Sequence, residues 1–251
     1  MRTKLATILV LLLLPDAVIA GDTGLLIGAR LWHGDIDGEV RYRSDDPVND
    51  IDLNRDLGYD YITAGDYYLR LEHPLPFLPN AMISNTRINE SVRGRLSRTF
   101  DFGGSSFTVG EDVDSRVQYR QSDVILYYSL LDTGASVDVG VNARYIDSNT
   151  VLSGSNGGME TATVSGWIPL LYAGIGIELP LTGLSLGADG SFIGYQGHQL
   201  YDVTLHASYM TPWKAGADLG YRRLKLGLDD FDSYSADIEF SGPYAGVFVK
   251  F

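Results

Sequence analysis

The sequence predicts an all-β protein, a closed antiparallel transmembrane β-barrel of ten strands that follows a cleaved signal peptide. Three observations predict this fold. Many segments alternate apolar and polar residues, the connections between them alternate in length, and the chain ends on an alternating apolar stretch that stops at Phe251. Side chains that alternate in this way lie on opposite faces of a strand, so one face is apolar and the other polar.

The first 20 residues, MRTKLATILVLLLLPDAVIA, have the three parts of a secretory signal peptide. Arg2 and Lys4 precede an apolar run that ends at Leu14, and a small-residue cleavage site ends at Ala20. The run has about ten residues, whereas a membrane-spanning helix needs about 20. We therefore expect residues 1–20 to be removed and residues 21–251 to form the barrel domain.

The composition excludes several classes of function. A formal net charge of −13 argues against nucleic acid as a partner, because phosphates are bound by Lys and Arg. The absence of cysteine excludes a disulfide framework. No later apolar run is long enough for a membrane helix, so a membrane location requires a closed barrel that satisfies its own backbone.

Alternation defines the individual strands. In SVDVGVNARY, residues 136–145, apolar and polar residues take turns without interruption, and YDVTLHASYM, residues 201–210, repeats the pattern. Tilted strands of about 9–11 residues cross a bilayer. The predicted strands are 24–33, 65–73, 80–89, 117–130, 135–146, 167–179, 184–195, 200–210, 214–226 and 238–251.

Short and long connections alternate along the chain, so each end of the predicted barrel has its own kind of connection. HPLPFLPN, LDTG, PLTG and TPWK are short and rich in Pro or Gly, as tight turns are. On the other side only QGHQ is short, and the predicted long polar loops are 34–64, 90–116, 147–166 and 227–237. Short turns at one end and long loops at the other are typical of outer-membrane barrels. The second long loop has room for another hairpin, so eight or twelve strands remain alternatives; a soluble β-sandwich would not sort its connections by length.

The aromatic residues and the C-terminus also favour a membrane barrel. Aromatic side chains form girdles at membrane interfaces, and nine of them lie near predicted strand ends: Tyr67, Tyr128, Tyr145, Trp167, Tyr201, Tyr209, Trp213, Tyr221 and Phe251. The closing segment GPYAGVFVKF resembles the C-terminal signal by which bacterial barrel assembly machinery selects its substrates, carried here by Tyr244, Val247, Val249 and Phe251. This resemblance implies two partners, the assembly machinery and outer-membrane lipid.

Three stretches carry a wider resemblance: LLIGARLWHGDIDGEV, DIDLNRDLGYD and GPYAGVFVKF. With them, the whole mature chain resembles a family of uncharacterised proteobacterial outer membrane β-barrel proteins. The resemblance implies a barrel located in the bacterial outer membrane of a Gram-negative bacterium. It implies no activity.

The polar face of the predicted strands supplies the candidate site. Two interpretations are open: a structural network in which acids and arginines satisfy one another, or a narrow channel that prefers cations because the acids outnumber the arginines. Neither is catalytic and neither needs a cofactor. The predicted lumen-lining polar residues are Arg70, Glu72, Asp123, Asp138, Arg144, Glu178, Asp189, Asp202, His206, Asp218 and Arg222.

Metal binding has only a weak candidate. Asp50, Asp52, Asn54 and Asp56 alternate as at the start of a calcium loop, but the sixth residue is Arg55 and the twelfth is Tyr61, where an EF-hand needs Gly and Glu. We therefore expect a solvated acidic loop and no metal site.

Two alternatives to a structural or channel role remain. An outer-membrane enzyme, a protease or a lipid A-modifying enzyme, could use a rim site at His198 and Asp202. No G-x-S-x-G motif occurs, so a nucleophile elbow has no support. The second alternative is adhesion or partner binding through the long loops.

Overall fold

The computed structural model describes residues 24–75, 77–195, 197–231 and 233–251. The predicted signal peptide lies outside these residues. No helix within the described ranges is long and apolar enough to cross a membrane. The strands are β1 (Gly24–Tyr42), β2 (Ile51–Asp52), β3 (Tyr61–Glu72), β4 (Asn80–Arg95), β5 (Phe100–Phe102), β6 (Ser105–Phe107), β7 (Asp112–Asp132), β8 (Ala135–Gly154), β9 (Met159–Leu179), β10 (Leu184–Tyr195), β11 (His198–Met210), β12 (Ala215–Phe231) and β13 (Tyr234–Lys250).

Ten of these strands form a closed antiparallel barrel, as predicted. β1, β3, β4 and β7 to β13 pair in chain order, and β13 pairs with β1 from Leu26↔Lys250 to Tyr42↔Tyr234. The last residue takes part in the closure, because the Phe251 amide donates to the Leu25 carbonyl at 2.8 Å. The hairpin β5–β6 does lie in the second long loop, but it forms a separate two-stranded sheet and adds nothing to the barrel wall.

The predicted short turns all lie at one end of the barrel, around residues 73–79, 133–134, 180–183 and 211–214. Gly134 and Gly183 have φ of 82° and 73°, a left-handed conformation that favours glycine. At the opposite end, two of the four predicted long loops are wrong. Residues 147–166 and 227–237 are mostly strand, because β8, β9, β12 and β13 continue to tight turns there.

These strands were predicted too short because their apolar and polar residues exchange sides of the barrel wall partway along each strand. On β7, Val124 and Leu126 point outward near the short turns, while Asp123 is buried inside. Towards the other end Asp114 points outward and Tyr119 is buried inside. An alternation that places apolar residues outside therefore stops midway, although the strand continues.

The outward apolar residues form a belt around the barrel wall. We call the part of the barrel between the short turns and the level of Trp167 the membrane half, and the rest the outer half. The rings of Tyr145 and Trp167 pack at 5.2 Å where the belt ends, midway along β8 and β9 rather than at strand ends. Exposed belt residues include Ile27, Leu31, Leu69, Ile83, Val124, Leu126, Val141, Leu171, Ile175, Leu186, Val203, Leu205, Leu219, Val247 and Val249.

Candidate functional site in the barrel interior

A polar vestibule opens at the end with the short turns. It has a volume of about 450 Å³. Five of the predicted lumen residues line it, namely Arg70, Glu72, Asp138, Glu178 and His206. The Nδ1 atom of His206 lies 3.5 Å from a carboxylate oxygen of a sixth, Asp189, on the neighbouring strand β10.

Two tyrosines and two apolar side chains narrow the lumen beyond the vestibule. The rings of Tyr127 and Tyr172 pack at 5.6 Å and cluster with Met82 and Ile125. All four side chains are buried. The lumen is therefore already filled with side chains below the middle of the barrel.

Asp202 is the centre of a buried network of charged and polar residues in the middle of the lumen. Arg222 donates to both of its oxygens, from Nε at 2.9 Å and from Nη2 at 2.7 Å. Arg144 donates from Nη2 to Oδ2 at 2.7 Å. Bidentate, charge-assisted bonds of this kind are among the strongest in proteins. Because β8 and β11 are not neighbours, the bond from Arg144 crosses the lumen.

The network extends to both sides of this centre. Arg144 Nε, Gln121 and Asn142 all donate to Asp123, at 2.7, 2.7 and 2.8 Å. On the other side Arg222 Nη1 donates to Thr86 at 3.1 Å, and Thr86 donates in turn to Asp66 at 3.0 Å.

A second ion pair completes the layer. Arg30 Nε donates to Asp218 at 2.7 Å, and Arg30 Nη1 lies 3.8 Å from Asp66. We call the whole layer the charge network; its members are Arg30, Asp66, Thr86, Gln121, Asp123, Asn142, Arg144, Asp202, Asp218 and Arg222. Four carboxylates face three guanidinium groups, so most of the interior charge is neutralised locally.

An apolar chamber of about 120 Å³ lies in the outer half, on the far side of the charge network. Tyr119 and Phe240 lie at its inner end, where Tyr119 also donates to Gln121 of the network at 3.0 Å. Its walls come from six barrel strands, and the aliphatic residues among them include Ile36, Val40, Val117, Ile146, Leu152, Val164, Ile168, Leu226 and Ile238.

The two long loops form a roof over the chamber, which we define as residues 43–60 and 96–111. The hairpin β5–β6 buries three phenylalanines, Phe100, Phe102 and Phe107, each at most 1 % exposed. From the other loop, Leu53 and Leu57 pack into the same core. Burial of such side chains contributes about 1.5–3 kcal/mol each, so the roof is held down mainly by the hydrophobic effect.

Arg98 joins the two loops of the roof. Its guanidinium donates to Asp56 Oδ2 at 2.8 and 3.0 Å and to the backbone carbonyls of Val48 and Asp50. Burial alone would raise the pKa of Asp56, but hydrogen bonds from Arg98, Arg55 and the Asp52 amide hold it below its usual range.

The oxygens of the weak metal candidate are engaged in this roof. Asp50 accepts from Arg41 at 2.8 Å, Asp52 caps the amides of Asn54 and Arg55, and Asp56 binds Arg98. Among the described residues, no group of three or more His, Cys, Asp or Glu converges so that it could hold a metal ion.

The proposed rim pair of His198 and Asp202 is not brought together at the rim. Asp202 is buried at the centre of the charge network, whereas His198 lies at the tip of β11 and accepts a hydrogen bond from the Asp229 amide at 3.2 Å. The rim assignment of Asp202 was wrong because the surrounding strands continue well beyond the level at which they were predicted to end.

Sequence reasoning found five of the seven charged members of the charge network, but it missed Arg30 and Asp66, the neutral partners and the chamber. Gln121, Asn142 and Thr86 lie on the inner face of predicted strands and could have been included with the charged residues. The chamber and the roof had a weaker signal: phenylalanines at 100, 102 and 107 in a loop expected to be polar.

Comparisons with known proteins give fold likenesses only. No protein-family model matches the sequence, and no curated protein sequence matches it. Among solved structures, the outer membrane protease OmpT from Escherichia coli is 13% identical over 90% of this chain and 97% of its own, with a TM-score of 0.48. Neisserial surface protein A is 12% identical over 90% of this chain and 97% of its own, with a TM-score of 0.36. The transport unit of the autotransporter AIDA-I from Escherichia coli is 8% identical over 89% of this chain and 88% of its own, with a TM-score of 0.46.

Likenesses at this level carry no conclusion about function. The class of protein follows instead from the coordinates: a closed antiparallel barrel, an exposed apolar belt edged by aromatic residues, and one end at which all four connections are short, with the two long loops at the other end. These features define a transmembrane β-barrel of the bacterial outer membrane. Membership of the narrower proteobacterial family, and the C-terminal assembly signal, remain predictions from sequence.

Proposed function

We propose that this protein is a non-catalytic outer-membrane barrel whose lumen is sealed, and that it does not conduct ions or solutes along its axis. The charge network carries this proposal. Its members come from seven of the ten barrel strands, β1, β3, β4, β7, β8, β11 and β12. An eighth strand, β10, is bonded to the network through Ser191, which accepts from Asn142 at 3.0 Å.

The space left within the network supports the sealed state. Only about 50 Å³ is open among these side chains, compared with about 450 Å³ in the vestibule. A buried water needs at least about 10–15 Å³, so the gap has room for a few waters but not for a hydrated ion. Of the two interpretations of the polar lumen, this geometry favours the structural network over a cation-preferring channel.

Planar-bilayer conductance tests the proposal. Quenching of Trp167 and Trp213 fluorescence by brominated lipid first establishes that the purified protein has inserted. We expect no stepwise currents from the wild type. We also expect none after deletion of residues 97–110, because the seal lies in the network and not in the roof. Stepwise, cation-preferring currents from the wild type would overturn the proposal.

The non-catalytic part of the proposal is tested separately. The protein is incubated with a peptide library and with lipid A, and the products are analysed by mass spectrometry. No turnover is expected. Turnover that is abolished by His198→Ala would identify an enzyme and contradict this assignment.

A further inference from the structure

The barrel wall has a lateral notch in the outer half, beside β9. Residues 159–170 of β9 pair with β8 on one side, but β10 pairs with β9 only from Leu171 to Leu179. On the far side of the notch, β12 pairs with β11 only as far as Gly227. The hairpin β10–β11 thus ends well below its neighbours, and within the described ranges no strand pairs with this free edge of β9.

The notch gives access to the apolar chamber. Val164, Gly166 and Ile168 point inward from the free edge and line the chamber, yet they are only half-buried. Ala162 and Leu170, on the same inner face above and below them, are buried. The chamber is therefore enclosed by the network and the roof but open at its side.

The height of the notch indicates what can enter it. An unpaired strand edge does not occur where it faces hydrocarbon, because its amides and carbonyls would lack partners. The notch must therefore lie at or above the membrane interface. Trp167, which is 65 % exposed and ends the apolar belt, lies on this same stretch of β9. Molecules that partition into the outer leaflet can reach an opening at this level.

We propose that the chamber binds a hydrocarbon group of about six carbons that enters through the notch. An apolar cavity that stays dry and binds benzene has a volume of about 150 Å³, and the chamber, at about 120 Å³, is of similar size and lining. Two sources share this chemistry: a free small hydrocarbon and the end of a lipid acyl chain. This inference goes beyond the sealed lumen and does not depend on it.

Gly166 offers a filling variant and Gly194 a matched control. A Cβ atom added at either glycine meets no atom within 4 Å, and neither residue has a positive φ. Gly166 faces the chamber, whereas Gly194 is exposed near the tip of β10 and does not line it. Gly166→Leu therefore occupies the chamber, and Gly194→Leu adds the same group elsewhere. Ser148→Leu, on the chamber wall from β8, is a second filling variant if Gly166→Leu does not fold.

The test uses the protein in lipid nanodiscs with ¹³C-methyl isoleucine and benzene as the probe. Ile36, Ile146 and Ile168 report on the chamber, while the exposed Ile27 and Ile175 report on benzene dissolved in the lipid. We expect the chemical shifts of the chamber methyl groups to change and to saturate as benzene is added, and those of the lipid-facing methyl groups not to saturate. The apparent affinity should fall at least tenfold in Gly166→Leu and stay unchanged in Gly194→Leu.

A second arm distinguishes the two sources. Lipids with a nitroxide at the end of the acyl chain are used in place of benzene. An acyl chain is identified as the occupant if the methyl resonances of the chamber isoleucines broaden more than their distance to the bilayer would produce. Saturable benzene shifts without this broadening would identify a free small hydrocarbon. Benzene shifts that rise linearly and equally at chamber and lipid-facing methyls, together with no such broadening, would overturn the proposal.

Discussion

Arg144 on β8 and Asp202 on β11 meet in the middle of the lumen, with Nη2 and Oδ2 2.7 Å apart, although two strands separate them in the barrel wall. Both side chains are buried. An ion pair of this kind contributes little net stability compared with apolar residues, but the removal of one partner leaves a buried charge alone. The pair therefore fixes the walls relative to each other and closes the space between them.

Asp202→Asn should destabilise the barrel strongly, because Arg144 and Arg222 both lose their shared carboxylate. We expect the free energy of unfolding to fall by about 3–5 kcal/mol. Urea unfolding in lipid vesicles, followed by tryptophan fluorescence, measures it. Asp114→Asn is the matched control, since its bond to Arg93 is as short, at 2.6 Å, but lies on the exposed surface, where water and salt screen the pair and its loss should change the free energy of unfolding far less. An equal decrease in the free energy of unfolding in Asp202→Asn and Asp114→Asn would contradict the structural role of the network.

Arg98→Ala should loosen the roof without opening the barrel. The variant removes four hydrogen bonds that join residues 96–111 to residues 43–60. We expect proteinase K to cleave these two segments several-fold faster, while the barrel strands stay protected. Arg95→Ala, at an exposed position at the end of β4, should leave the cleavage rate unchanged. Equal rates in wild type and Arg98→Ala would show that the buried phenylalanines and the hydrogen bond from the Asp101 amide to Asn49 hold the roof without Arg98.

The roof should also loosen in acid. The pKa of Asp56 is lowered in the folded protein, so its stabilising effect is complete above the unfolded pKa of about 3.9 and is lost as the pH falls through the lower folded value. Glu111, whose pKa is lowered by the amides of Thr108 and Asn156, acts in the same direction.

A spin label can follow this change, because the chain has no cysteine of its own. A nitroxide attached to Val48→Cys, an exposed site in the roof, should gain mobility below about pH 4. With Asp56→Asn added, we expect high mobility already at pH 7 and a smaller change in acid. A label whose mobility is the same from pH 7 to pH 2 would refute the role of these carboxylates.

The C-terminus should be needed for assembly. Phe251 lies outside, and its backbone exchanges two hydrogen bonds with Leu25, at 2.8 and 3.3 Å, that help to close the barrel. Deletion of Phe251 should lower the fraction of folded protein in the outer membrane severalfold. Lys250→Ala, which removes a side chain directed towards Glu72, should assemble normally. Normal assembly of the deletion variant would show that the predicted signal at Tyr244, Val247, Val249 and Phe251 is not used.

The sequence predicted the strand count, the closure, the short turns and the polar side of the membrane half, because one alternation rule applies throughout that half. It failed where that rule reverses. In DVDSRVQYR, residues 112–120, Val113, Val117 and Tyr119 point into the core of the outer half while Asp114 and Arg116 face solvent. Periodicity alone does not indicate which face is inside, so a change of solvent from lipid to water along one strand was read as the end of the strand.

The pairing within the site could not be predicted for a different reason. Asp123, Arg144, Asp202 and Arg222 were recognised as inward residues, but their heights in the barrel depend on strand register and tilt, which the sequence does not state. The chamber depends in addition on the roof, whose two loops are joined by Arg98, by the hydrogen bond from the Asp101 amide to Asn49 and by the buried phenylalanines.

The sealed lumen is tested most directly by asking whether a reagent can pass the charge network. Ser136→Cys places a thiol in the vestibule, and Ser148→Cys places one in the chamber, each in a chain without other cysteines. A small, charged, membrane-impermeant thiosulfonate is added only on the side of the short turns, to proteoliposomes of known orientation. The account predicts rapid modification of the Ser136→Cys variant and none of Ser148→Cys. Comparable modification of both would contradict it.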